Sequence, residues 1–102
     1  MVRNRSLSPR AKSLKAELQV WIDEHDLAEE TIWWPAEEDE RTGADLVVTF
    51  EGDLHSVLWR QPFEGHNIAV ACRLRSEFDA IVKKHSFLFE FKDGVTGHFY
   101  EQ

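Results

Sequence analysis

A single cysteine, Cys72, leaves this 102-residue chain without a partner for an internal disulfide and without the thiols of a multi-cysteine zinc site. The expected setting is a reducing cytoplasm. No apolar run approaches the ~20 residues that cross a bilayer, and no basic start leads into the apolar stretch of a secretory signal. Neither a membrane partner nor export is expected. The five glycines, at 43, 52, 65, 94 and 97, are scattered among turns and strand ends, so no glycine loop can cradle a phosphate. Acidic residues are missing altogether from positions 1–15.

That last absence divides the charge. Residues 1–15 hold five basic side chains (Arg3, Arg5, Arg10, Lys12, Lys15), while residues 16–102 hold seven basic and nineteen acidic ones. The net charge is −7 and the isoelectric point about 5.1. An acidic body repels a polyanion, and no basic patch interleaved with aromatics follows residue 15, so nucleic acid is at most an arm contact. The Arg- and Ser-rich start has the composition of a transit peptide, but it runs into a helical pattern without a cleavage boundary. Hydrophobic residues make up 42% of the chain, enough for one core, and a chain of this size buries roughly 60–68% of its unfolded surface. One domain over 1–102 is expected, with a flexible basic arm at 1–8.

Ser8 as N-cap and Pro9 in the first turn announce a helix from about 9 to 26, with Ala11, Leu14, Leu18, Trp21 and Ile22 on one stripe. Its basic start and acidic end oppose the helix dipole, so tertiary packing must hold it. Thr31-Ile32-Trp33-Trp34-Pro35 reads as an edge strand, because proline lacks the donor a central strand needs. An acidic loop at 36–44 follows. Gly52-Asp53 suits a tight turn between strands at 45–51 and 54–60, with Leu46 opposite Trp59, Val48 opposite Val57 and Phe50 opposite His55. Asp93-Gly94 suits a second one, in which Phe87, Phe89 and Phe91 oppose Tyr100, His98 and Thr96. Between the hairpins a helix ends near residue 85; it begins either at Asn67 as cap or near 76, and the pair Arg75–Asp79 favours the longer form. The order is α-β-β-β-α-β-β: an α+β domain with two helices packed on one face of a mainly antiparallel five-stranded sheet.

Chemistry is sparse. Cys72 follows His66 by six residues, but spacing alone does not make a nucleophile and base, and a buried cysteine is ordinary. Glu64, His66, Asp79 and Glu90 pair as acid and base only if a fold is assumed. His25 and His85 sit near helix ends, where a structural role is adequate. No catalytic motif, cofactor site or metal signature is read, and an enzyme is not expected. Two constellations remain. Trp33 and Trp34 on the edge strand stand beside Glu37, Glu38, Asp39 and Glu40, which joins aromatic area to negative charge, and alternation turns one indole away from the core. That pattern fits a small acidic protein-binding module for a basic protein partner, analogous in size and charge to inhibitors, immunity proteins and antitoxins. His55, His98 and Tyr100, expected on the aromatic sheet face, form the alternative: a small-molecule or metal pocket. A third reading is a structural homodimer paired through strand 31–35.

Overall fold

Helix α1 (Pro9–Glu24) starts where its signals stand: the Ser8 hydroxyl accepts from the Ala11 N–H at 3.1 Å and Pro9 opens the first turn. The computed structural model describes residues 7–34 and 44–102. After α1 come β1 (Thr31–Trp34), β2 (Leu46–Phe50), α2 (Asp53–Leu58), α3 (Ile68–Lys84), β3 (Phe87–Phe91) and β4 (Thr96–Glu101). The described strands form one antiparallel sheet in the order β1-β2-β4-β3. Residues 1–6 of the basic arm and 35–43, which include almost all of the acidic loop, lie outside the described residues.

Among the described residues three helices pack on one side of a four-stranded sheet, which corrects the expected two on five. The difference lies in residues 54–60. As a strand, that segment would send Leu54 and Leu58 to one face and Val57 to the other; as a helix it gathers all three on one side. All three are buried. Gly52 is therefore not a hairpin corner but the residue before α2, where a Cβ would strike the Glu29 carbonyl. The place beside β2 is taken by β4, with Leu46 opposite Phe99 and Val48 opposite Gly97. The element order becomes α-β-β-α-α-β-β. α3 takes the longer of its two readings, with the Asn67 side chain accepting from the Val70 N–H at 3.2 Å.

The second hairpin exists, in a register one residue away from expectation. Lys92 N–H donates to the Thr96 carbonyl at 2.9 Å, so three residues turn the corner instead of two. The Asp93 carboxylate accepts from the Val95 N–H at 2.9 Å, a bond that holds its pKa below the ordinary aspartate value. A one-residue slip reverses every side chain of a strand. Phe87, Phe89 and Phe91 face Glu101, Phe99 and Gly97, while His98 and Tyr100 turn to the other side. The register puts Phe99 beneath the helices, while His98 is buried on the other side of the sheet with Tyr100 Oη 3.3 Å from its Nδ1.

The core lies between the sheet and the helices. α1 supplies Leu14, Leu18 and Ile22, α3 supplies Leu74, Phe78 and Val82, and the strands supply Leu46, Val48, Phe50, Phe87 and Phe99. Polar ties close its rim. Trp21 Nε1 donates to Glu77 Oε1 at 3.0 Å, joining α1 to α3. Arg75 donates to the Leu58 carbonyl at 2.6 Å, serving an acceptor that the end of α2 leaves open. Its guanidinium lies 5.6, 5.8 and 5.9 Å from the ring centroids of Phe91, Phe89 and Phe78 and is paired with Asp79 at 2.8 Å. Trp59, after α2, stacks on Phe91 at 4.2 Å and donates to the Gly94 carbonyl.

Two predictions follow from these contacts. A Cβ at Gly97 would collide with the Phe89 ring, so Gly97→Ala should lower stability by about 1–3 kcal/mol through overpacking; an unchanged thermal midpoint would contradict the register. Glu17 accepts from Lys84 Nζ at 3.0 and 3.1 Å and lies 2.8 Å from His85 Nε2, and these bonds, that to His85 foremost, lower its pKa. A carboxylate lowered in the folded state adds stability above its unfolded pKa and loses it as pH falls through the folded one. Thermal melts should show the gap between wild type and Glu17→Gln narrowing as pH drops through the carboxylate range, whereas a constant gap would deny the charged contact.

Candidate functional site

Because the core cluster lies on one face of the sheet, strand alternation sends the remaining side chains to the other. Ile32 and Trp34 come from β1, Val47 and Thr49 from β2, Thr96, His98 and Tyr100 from β4, and Leu88 and Glu90 from β3. Cross-strand register aligns Trp34, Val47, His98 and Glu90 in a single row. No described helix packs there. Val47 and His98 are buried in the floor, while Ile32, Trp34 and Leu88 remain 51%, 40% and 44% exposed. Ile32 and Trp34 stand on one edge strand of this face and Leu88 on the other, with Val47, His98 and Tyr100 on the strands between.

Hydrogen bonds orient part of this face. Trp34 Nε1 donates to Thr49 Oγ1 at 2.7 Å, which fixes the exposed indole over β2. His98 Nδ1 lies 3.3 Å from Tyr100 Oη. With its N–H engaged inside the sheet face, the exposed Trp34 offers its ring surface to solvent.

The residues singled out from sequence separate into three places. Trp33 faces the helices, donates from Nε1 to Gln19 Oε1 at 2.8 Å and sits 6.1 Å from the Phe99 ring. Trp34 is the indole turned outward. Glu37, Glu38, Asp39 and Glu40 lie outside the described residues. His98 and Tyr100 are together, but on the open face and not on the aromatic core face. His55 is on α2, 6.3 Å from the rings of both Phe50 and Trp59, so it does not join them. The expected three-residue pocket is thus split by the sheet, a direct result of the shifted register of β4 and the helical state of residues 53–58. Ile32 and Leu88 were not singled out from sequence. Their signal was available, since each alternates with a neighbour that packs inward.

Two other concavities present polar side chains. One of about 400 Å³ is lined by His25, Asp26, Glu29, Asp53, Phe63, Glu64 and His66. Among the described residues no three His, Cys, Asp or Glu side chains are placed to hold a metal. A second lies between the start of α1 and the end of α3, lined by Arg10, Lys84 and His85 among others. Its polar groups are already engaged: Arg10 donates to the Ser86 carbonyl at 3.0 Å, and Lys84 and His85 hold Glu17. Cys72 is half-buried on α3, while the His66 ring packs against Phe63 at 5.0 Å. No helix among the described residues is long and apolar enough to cross a membrane. Comparison of the chain with protein-family models, with curated proteins and with solved structures finds no significant match.

Proposed function

We propose that this protein is an acidic binding module whose open sheet face docks a basic protein. The observation that carries the reading is the exposure of Ile32, Trp34 and Leu88 on the face that bears no described helix. Large apolar side chains exposed on one face gain roughly 25 cal/mol for each Å² of apolar area that a partner covers. Charge supplies the selectivity. Nineteen of the acidic and only seven of the basic side chains fall in residues 16–102, and Glu37, Glu38, Asp39 and Glu40 follow Trp34 closely in sequence. Such an acidic body accelerates encounter with a cationic surface and turns away other anionic proteins.

Masking a basic surface is the role of inhibitor, immunity and antitoxin-type proteins, and binding rather than catalysis is the reading for this chain. A single cysteine and no disulfide suit a cytoplasmic setting. The separation of His55 from His98 removes the main support for a histidine-lined pocket.

The test is affinity capture from the native lysate at low and high salt, with wild type and Trp34→Ala compared. Trp34→Ala is the informative variant because Trp33 serves the core and its loss would damage the fold. A basic protein should be retained at low salt by the wild type, with affinity reduced roughly tenfold or more by Trp34→Ala. Equal retention by a folded Trp34→Ala variant, confirmed by its thermal melt, would contradict the assignment of this face.

A further inference from the structure

β1 lies at the edge of the sheet, and the direction of its backbone groups follows from two neighbouring bonds. Glu51 N–H donates to the Glu30 carbonyl at 3.1 Å. Alternation in an antiparallel ladder then turns the N–H and C=O of Ile32 and Trp34 toward β2 and those of Trp33 away from it. Thr31 N–H, also turned away, donates to the Ala28 carbonyl at 3.1 Å. The outer edge is left with the N–H and C=O of Trp33 and the C=O of Thr31, and no described backbone group outside the sheet bonds to them. Natural edge strands commonly carry a charge, a bulge or a proline that blocks pairing. Thr31-Ile32-Trp33-Trp34 contains none of these; Pro35 comes only after it.

Charge selects the occupant of this edge. Glu29 and Glu30 stand exposed just before β1, and Glu37, Glu38, Asp39 and Glu40 follow it in the chain, with Arg41 as the one cation nearby in sequence. A second copy would bring the same excess of negative charge to this edge, with Glu29 and Glu30 exposed at its start. Like charges would then meet. A strand bearing lysine or arginine meets opposite charge instead.

We propose that β1 takes up an extended basic segment of the partner protein as a fifth strand. Its backbone pairs with Trp33 and Thr31, and alternate side chains rest beside Ile32 and Trp34 on the open face. This inference rests on the binding role proposed above and adds the mode of recognition: the ligand is a strand, read through its backbone and its charge.

The probe is a short peptide of alternating valine and lysine, with two controls: the same peptide N-methylated at every second residue, and a valine–aspartate analogue. Amide hydrogen exchange of the intact protein is followed residue by residue by NMR. The Val–Lys peptide should slow exchange at the Trp33 amide by roughly tenfold or more, and neither control should do so. Peptide binding that leaves Trp33 exchange unchanged, or that tolerates N-methylation, would overturn strand addition, as would no binding at all. Protection of Trp33 in the free protein that rises with its concentration would give the edge to a second copy and overturn it as well. If Trp34-dependent capture of a basic protein persists beside any of these failures, docking on the open face stands and only the added strand falls.

Discussion

β4 is held between β2 and β3 in a register that sends Phe99 under the helices and His98 and Tyr100 to the opposite side. Shifting it by one residue would exchange those sets, placing an imidazole and a phenol beneath the helices and Phe99 on the opposite side of the sheet. Gly97 secures the choice, because the Phe89 ring occupies the space where a Cβ would project. The three-residue corner at Asp93–Val95, closed by the Asp93 carboxylate, sets the same phase from the other end. Core composition, hairpin geometry and the nature of the open face are thus consequences of a single register.

With that register in place, the helices complete one layer and leave the other side to the sheet. α1 and α3 are joined across their length by Trp21 with Glu77 and by Glu17 with Lys84 and His85. α2 is anchored through Arg75 and Trp59 to the aromatic residues of β3. The isolated charge order of α1 opposes its dipole, so these contacts and the buried stripe supply what its sequence does not. Every described helix is committed to the same face. The opposite face is left to display Ile32, Trp34 and Leu88, and it is on this asymmetry that the binding proposal depends.

Much of this was legible in the chain. Ser8-Pro9 and Asn67 marked helix starts through capping chemistry, which acts locally and needs no tertiary context. Thr31–Trp34 declared an edge strand through its following proline, and the alternation of Trp33 and Trp34 correctly implied one inward and one outward indole. What misled was turn chemistry. Gly52-Asp53 resembles a hairpin corner, yet Leu54, Val57 and Leu58 carry helical spacing, and over six residues the burial of all three on one side outweighs strand propensity. Asp93-Gly94 does mark a hairpin, but whether two or three residues turn is decided by the partner strand's need to bury Phe99. The candidate site inherited both errors: His55 moved to a helix, and His98 and Tyr100 moved to the open face.

Cross-strand nuclear Overhauser contacts in solution test the central register directly. Backbone contacts joining Phe89 to Phe99 and Val47 to His98 are the predicted result, and they would fix the open face as described. Contacts joining Phe89 to His98 and Phe91 to Thr96 instead would place His98 and Tyr100 beneath the helices and contradict the account.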